Sequence, residues 1–234
     1  MKSLVVGLGF GQLYVNILKR MGHEVVTVDI NPDAKADFTE LTTAIQAHTP
    51  FDTAHICVPN HLHYKTALKV ADHTKIVFVE KPGVETINHW RLLTNLNKST
   101  RFMMTKNNQW RNNIKQIAEN CEASDLIQIN WVNSNRIPGP GTWFTNKSKA
   151  FGGVSRDLLP HLMSIMISAN KNTFHDFKTQ KYRLEQRWNL NDCTGTDYGV
   201  VKKDGVYDVD DSAVMELTDG EKTYILYANW KSNL

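Results

Sequence analysis

Cysteine is scarce in this sequence, and the few cysteines form no recognisable pattern. Cys57, Cys121 and Cys193 are odd in number among 234 residues, and their spacing resembles no metal-binding motif. We therefore expect neither a disulfide framework nor a bound metal. A reducing, cytoplasmic setting fits this cysteine usage best.

Long apolar runs and blocks of like charge are also missing. The longest apolar stretches fall well short of a membrane span, and no charged-then-apolar leader precedes the first predicted strand. Lysine and arginine are spread along the chain and the formal net charge is only +3, which disfavours nucleic acid as a partner. With 41% hydrophobic and 22% charged residues, the composition is that of a globular protein.

The first hundred residues alternate between strand and helix signals. Short apolar runs, each typical of a buried strand, are separated by segments with apolar residues at helical spacing. The predicted strands lie in KSLVVGLGF, HEVVTVDI, TAHICVP, KIVFVE and RFMMTK. Five such strand–helix repeats predict an α/β fold with a doubly wound parallel sheet covered on both faces, a Rossmann domain over residues 1–105.

The pattern changes after residue 105. A helical segment leads to the alternating strand LIQINWVNSN, and a mainly apolar stretch, GGVSRDLLPHLMSIMISAN, follows. Asp204-Gly205 and Asp219-Gly220 each lie between alternating runs and predict two hairpins. Residues 106–234 are therefore predicted to form a second, α+β domain with a mostly antiparallel sheet and helices on one face. Its uncovered face favours a homo-oligomer through this sheet, so the domain is assigned to substrate binding and oligomerisation.

A glycine-rich turn, VVGLGFGQ, joins the first predicted strand to the first helix. Gly7 allows the tight turn, and Gly9 lets backbone amides approach a pyrophosphate at a helix N-terminus. Asp29 ends the second strand 22 positions after Gly7, close to the ~20 expected for the acid that bonds a ribose hydroxyl. Because a carboxylate repels a 2′-phosphate, we expect NAD rather than NADP. The predicted cofactor-binding residues here are Gly7, Gly9, Phe10, Gly11, Gln12 and Asp29.

This turn departs from the G-x-G-x-x-G spacing in one place. The third glycine would fall at position 12, which is Gln12, whereas Gly11 lies one place early. We therefore expect the helix and the strand to pack less closely. Glycine-rich turns also occur in folds that bind flavin, S-adenosylmethionine or no cofactor, but the strand, helix and Asp29 in register favour a dinucleotide.

The fourth predicted strand ends in an acid and an amine, in the stretch VFVEKPG. Ligands of open parallel sheets bind beyond the carboxyl ends of the strands, so Glu80 and Lys81 lie where the nicotinamide half of a dinucleotide is expected. Pro82 fixes the local backbone and holds Lys81 on a stiff turn. The alternative is an ordinary surface lysine in a strand–helix loop.

Three motifs together resemble the glucose–fructose oxidoreductase, inositol dehydrogenase and rhizopine-catabolism family (Gfo/Idh/MocA). They are VEKP, VPNHLHYKTAL and GGVSRDLLPH, and the resemblance runs through nearly the whole chain. It implies that Lys81 is catalytic and binds substrate, and that Pro59 and Asn60 line the cofactor. It also implies that Asp157 and His161 face the substrate. Members carry NAD(H) or NADP(H) and act on sugars, polyols or nucleotide sugars.

Asp157 and His161 are four residues apart, so on a continuous helix they share one face. The ordinary pKa of histidine suits proton exchange with a substrate hydroxyl, and a nearby carboxylate orients the ring. Pro160 interrupts this pattern, so either the helix starts near Pro160 or a kink there aims His161. Without the resemblance, a capped or surface histidine is the commoner interpretation.

Other candidate residues carry weaker signals. Trp143 follows a proline–glycine loop and is a candidate for stacking on a sugar ring, with burial against the sheet equally possible. Arg111 follows the fifth strand, where the resemblance implies an arginine near the substrate; the alternative is an ordinary solvated helix residue. Asn60 is also expected to cap the third helix. His61 and His63 have a His-x-His spacing but no third metal ligand, so we expect both at a helix start beside the cofactor.

The sequence thus predicts an NAD-dependent dehydrogenase or reductase that moves hydride between nicotinamide and a secondary alcohol or ketone of a sugar, polyol or nucleotide sugar. The alternative is a catalytically idle dinucleotide-binding or sensor protein, since members of the resembled family are usually longer and the second domain looks shortened. An aldehyde- or imine-reducing relative is a third, weaker interpretation.

Overall fold

The computed structural model describes residues 1–96, 99–170, 176–194 and 198–232. The chain divides into two compact units, residues 1–105 and residues 106–234. Among the described residues, no helix is long and apolar enough to cross a membrane.

The first unit is built on a five-stranded sheet in the order β2-β1-β3-β4-β5, with every neighbouring pair parallel. Its strands are β1 (Lys2–Val6), β2 (Glu24–Val28), β3 (Phe51–Ile56), β4 (Thr74–Val79) and β5 (Arg101–Met104). Its helices are α1 (Leu8–Arg20), α2 (Leu41–His48), α3 (His63–Val70) and α4 (Ile87–Leu96). All five predicted strands are present, which confirms the predicted Rossmann sheet.

Alternation along the buried strands supplies a core on each face of this sheet. Val5 packs with Leu8, Val15 and Leu18 of α1, which follow one another at helical spacing. The side chains of Leu4, on the opposite face of the same strand, belong to the larger core with residues of α2, α3 and α4. Because these strands are parallel, the carboxyl ends of β1 to β4 lie at one edge of the sheet, where the strand–helix turns begin.

The second unit contains a four-stranded sheet in the order β6-β9-β8-β7. Its strands are β6 (Leu126–Val132), β7 (Lys178–Glu185), β8 (Ser212–Thr218) and β9 (Thr223–Asn229). Two neighbouring pairs are antiparallel, and β6 pairs with β9 in parallel. The predicted hairpin at Asp219-Gly220 is confirmed as the connection between β8 and β9. The sheet is therefore mostly antiparallel, and the predicted fold class is confirmed.

The helices described in this unit are α5 (Ile114–Glu122), α6 (Lys147–Ala150), α7 (Val154–Asp157) and α8 (Leu159–Asn170). Leu162 and Met166 of α8 are buried in one core with Tyr224 and Leu226 of β9. Tyr182 of β7, by contrast, is 67% exposed. The long apolar helix α8 thus packs against one face of the sheet and forms a core with the inward-facing residues of its strands.

Two local predictions are wrong. Asp204-Gly205 does not join two strands, because the flanking residues bond to another loop: Lys202 N donates to Pro140 O at 2.8 Å, and Asp208 N donates to Thr145 O at 3.1 Å. Asn60 does not cap the third helix. It lies in a 3-10 turn over Asn60–Leu62, and α3 begins at His63 without a side-chain cap.

Candidate active site

The turn between β1 and α1 requires glycine at its first position. Gly7 has φ of +90°, and a Cβ there would lie 2.7 Å from the carbonyl oxygen of Cys57. At Gly9, by contrast, a Cβ would meet nothing within 4 Å among the described residues. Gly7, at the N-cap position, has no side chain to cap α1, and the first turn contains no acid, although Leu8 N donates to Asp29 Oδ2 at 2.6 Å. Apart from Leu8 N, the amides at this helix end are therefore suited to an anion.

Gly11 provides the close helix–strand approach that the sequence motif seemed to lack. A Cβ there would lie 2.9 Å from Val5 Cγ1 and 3.3 Å from Cys57 Cβ, whereas Gln12 is exposed. The expectation of looser packing is wrong, because α1 begins directly after Gly7 and so turns position 11 towards the sheet.

Asp29 is bound to the glycine turn. Its Oδ2 accepts from Leu8 N at 2.6 Å, and its Oδ1 accepts from Asn31 N at 2.8 Å. The side chain is half-buried. Because each carboxylate oxygen can accept more than one hydrogen bond, both remain able to accept from the two hydroxyls of a ribose. Phe10 is 51% exposed beside the turn, with its ring edge-on to Tyr14.

The turn after β4 brings Glu80 and Lys81 to the same sheet edge. Glu80 N donates to Ile56 O at 3.0 Å, which continues the strand ladder, and Gly83 N donates back to Glu80 O at 2.9 Å. The Lys81–Pro82 bond is cis. Glu80 Oε2 accepts from the backbone amide of Lys81 at 3.2 Å, and Lys81 is half-buried. The acid therefore shapes the turn that presents the amine.

Tyr14 was missed at the sequence level. It lies on α1, and its hydroxyl donates to Glu80 Oε1. Burial, followed by the Glu80 carboxylate, raises the pKa of Tyr14, so the phenol stays protonated and acts as a donor. The sequence did place Tyr14 beside the buried apolar stripe of α1. A side chain at such a position borders the core and can reach a neighbouring turn.

His63 was expected at a helix start, and the structure confirms this, because α3 begins at His63. The ring is 1% exposed, with Nδ1 2.6 Å from Gly83 O and Nε2 2.8 Å from Val58 O. Both ring nitrogens thus face carbonyl oxygens, which rules out a metal-ligand role. Burial lowers the pKa of His63, while the two carbonyls and Glu80 act in the opposite direction. The ring links the turn after β3 to the turn after β4.

Pro59 and Asn60 follow β3 at this edge. Pro59 O accepts from Leu62 N at 2.9 Å and closes the 3-10 turn that holds Asn60. Both residues are half-buried. The structure thus brings the predicted cofactor-binding residues of the first unit to the carboxyl ends of neighbouring strands.

Asp157 and His161 do not share one continuous helix. Asp157 ends α7, and α8 begins at Leu159, so Pro160 occupies the first turn, where its missing N–H costs no hydrogen bond. The first of the two alternatives for Pro160 is therefore confirmed. Asp157 Oδ2 accepts from the indole Nε1 of Trp230 at 2.8 Å, and Trp230 is 1% exposed.

Trp131 connects two other candidates of the second unit. Its ring centroid lies 5.5 Å from that of His161, and the guanidinium carbon of Arg111 lies 5.7 Å from the same indole. Arg111 Nε also donates to Asn108 Oδ1 at 2.7 Å. Trp143 stacks on Phe144 with 3.9 Å between ring centroids. Alternation placed Trp131 on the inner face of β6, but nothing in the sequence paired it with His161 or Arg111.

The chain resembles known oxidoreductases in sequence and fold. Residues 1–107 match a family model described as an oxidoreductase family with an NAD-binding Rossmann fold (GFO_IDH_MocA). A protein of Amycolatopsis mediterranei (strain S699), provisionally named the oxidoreductase subunit of a UDP-kanosamine synthase, is 26% identical over 180 residues. That alignment covers 70% of this chain and 50% of the relative, so the chain spans about half the length of the curated relative.

Solved structures share the fold of this chain over about two thirds of their own length. An NAD-binding protein from Listeria innocua superposes with a TM-score of 0.80 at 21% identity, covering 100% of this chain and 68% of that one. GenD2 from gentamicin A biosynthesis, crystallised with NAD, gives 0.77 at 19% identity, covering 100% and 67%. The resemblance and the NAD cofactor predicted from the motifs are both confirmed. Residues 1–107 thus match the Gfo/Idh/MocA oxidoreductase family and carry its NAD-binding Rossmann fold.

Proposed function

We propose that this protein is an NAD-dependent dehydrogenase or reductase that acts on a secondary alcohol or ketone of a sugar, polyol or nucleotide sugar. The observation that carries the proposal is the shared sheet edge of the first unit. An open helix N-terminus at Gly9, the Asp29 carboxylate and the amine of Lys81 follow β1, β2 and β4 there. The nucleotide-sugar class draws support from the name of the curated relative.

The residues at this edge fit an NAD molecule. The amides at the start of α1 would hold the pyrophosphate, with Gly9 allowing close approach. Asp29 would accept from the ribose hydroxyls and repel a 2′-phosphate, which favours NAD over NADP. Pro59, Asn60 and Glu80 would line the nicotinamide half.

The protein's own groups would position the substrate and move its proton. Lys81 would stabilise the negative charge that develops on the substrate oxygen, and His161 would exchange the hydroxyl proton, with Asp157 supporting it. Arg111, Trp131 and Trp143 would contact the sugar. The bound nicotinamide supplies the hydride chemistry. Residues 106–234 would bind the substrate and mediate self-association.

The test is turnover with NAD and a panel of sugars, polyols and nucleotide sugars, followed by absorbance of the reduced cofactor. Lys81→Ala and His161→Ala are each expected to lower kcat by roughly 10²-fold or more, because general acid–base and electrostatic groups typically contribute that much. Lys75→Ala is the matched control, since Lys75 is the second residue of the same strand, β4, at the end opposite to Lys81.

Two outcomes contradict the proposal. Cofactor binding without turnover on any substrate of the panel supports a dinucleotide-binding sensor instead. Turnover that survives both substitutions shows that other residues do the chemistry.

A further inference from the structure

A hydrogen-bonded link runs from α1 to the backbone of the candidate catalytic lysine. The hydroxyl of Tyr14 donates to one carboxylate oxygen of Glu80, and the other oxygen accepts from Lys81 N at 3.2 Å. Tyr14 belongs to α1, whose N-terminus is the proposed pyrophosphate site, whereas Glu80 and Lys81 belong to the turn after β4. The Tyr14 side chain thus connects α1 to the turn that carries Lys81, and the proposed function requires these two elements to be held at a fixed distance.

Glu80 interacts with several neighbouring side chains, and among them Tyr14 donates a hydrogen bond to its carboxylate. Burial and Glu80 raise the pKa of both Tyr14 and Cys57, so each stays neutral. From α3, His63 faces Glu80 while its ring nitrogens contact backbone carbonyls. A charged acceptor with a neutral donor makes a stronger hydrogen bond than two neutral groups do, so this contact is suited to fixing the carboxylate.

We propose that Tyr14 is a positioning residue that acts through Glu80 to set the orientation of the Lys81 turn against the cofactor-binding helix. The proposal rests on the proposed function for its consequence in cofactor binding. Its structural part, that the Lys81 amide responds to the Tyr14 hydroxyl, is independent of any substrate.

The first measurement follows the backbone amide of Lys81 by NMR in the full chain labelled with 15N-lysine, assigned by its loss in Lys81→Arg. Tyr14→Phe removes the hydroxyl and keeps the ring. We expect it to move the Lys81 amide resonance more than any other lysine amide. Its hydrogen exchange should speed up roughly tenfold, because Glu80 without its Tyr14 donor holds the Lys81 amide less firmly. Tyr64→Phe is the matched control, because Tyr64 lies in the same unit with its ring stacked on His89.

The second measurement is a double-mutant cycle on NADH affinity, read from the fluorescence of bound NADH. Tyr14→Phe and Glu80→Gln should each weaken binding several-fold, up to roughly tenfold. If Tyr14 acts through Glu80, the double variant should bind no more weakly than Glu80→Gln alone. Should Tyr14→Phe fail to fold, Glu80→Gln carries the NMR test by itself, because it weakens the acceptor of the Lys81 amide.

The outcomes separate this proposal from the proposed function. An unmoved Lys81 amide in Tyr14→Phe, or losses of affinity that add fully in the double variant, overturns the positioning role. Absence of NADH binding by the wild-type chain overturns the proposed function instead, while the NMR measurement still decides whether Tyr14 positions Lys81.

Discussion

The two units hold their candidate site residues by different kinds of contact. In the first unit, the Asp29 and Glu80 carboxylates accept backbone amides from neighbouring turns at the ends of parallel strands. In the second, Asp157 is held by an indole from the far end of the chain, and His161 lies against Trp131. Main-chain geometry repeats from protein to protein, whereas each aromatic contact depends on one distant side chain. The first kind of site is therefore far easier to predict.

The largest expected effect is the pH dependence of stability in the first unit, which comes from a buried histidine. His55 lies on β3, 7% exposed and stacked on Phe78. Burial, with a smaller effect of His23, lowers the pKa of His55 to about 4. The unfolded chain therefore takes up this proton first as the pH falls. The stabilisation is complete above pH ~6.5 and is lost towards pH 4, by roughly 3 kcal/mol.

Amide hydrogen exchange of residues 1–105 between pH 4 and 7, corrected for intrinsic rates, measures this slope. His55→Phe should flatten it. His73→Gln is the control, since His73 lies outside the core. A slope that persists in His55→Phe contradicts the assignment to His55.

The second effect concerns the aromatic contacts of the other unit. Trp230→Phe removes the indole donor of Asp157 and some buried volume, and we expect it to lower the free energy of unfolding by roughly 2–3 kcal/mol. The control is Trp188→Phe, whose indole donates to Lys231 O from a partly exposed position and should cost about 1 kcal/mol. Denaturant unfolding compares the two. Equal costs would show that the Asp157 contact adds nothing special.

Sequence reasoning succeeded where local rules decide the outcome. Alternating apolar runs placed all five strands of the first sheet, and strand-end logic placed Asp29 and Lys81 at one edge. It failed where a residue distant in sequence determines the structure. Asp204-Gly205 is typical of a hairpin turn, but Lys202 N donates to Pro140 O, so no hairpin forms there. It also failed at Gly11, because the helix starts earlier than the motif implies, and the bonds from Tyr14 to Glu80 and from Trp230 to Asp157 have no local signature.

A third prediction compares two glycines of the same turn. Gly11→Ala forces a Cβ against Val5 and should destabilise the first unit by roughly 1–2 kcal/mol. Gly9→Ala meets open space and should leave stability nearly unchanged. Denaturant unfolding of both variants checks the difference, and equal destabilisation would contradict the packing role assigned to Gly11.

The smallest expected effect concerns cofactor choice. Asp29→Asn removes the charge that would repel a 2′-phosphate, so the ratio of NADPH to NADH affinity should rise about tenfold. Asp33→Asn, on the exposed turn beyond β2, is the control. Fluorescence titration with both cofactors measures the ratio. An unchanged ratio in Asp29→Asn would remove the charge argument for NAD.

The central claim is that NAD binds where β1 meets α1. A titration with NADH of the wild-type chain and Gly9→Ala, followed by nicotinamide fluorescence, tests it most directly. We predict saturable binding by the wild type and binding at least tenfold weaker by Gly9→Ala, because a methyl group there keeps the pyrophosphate from the backbone amides. Equal affinity of the two proteins would contradict the claim.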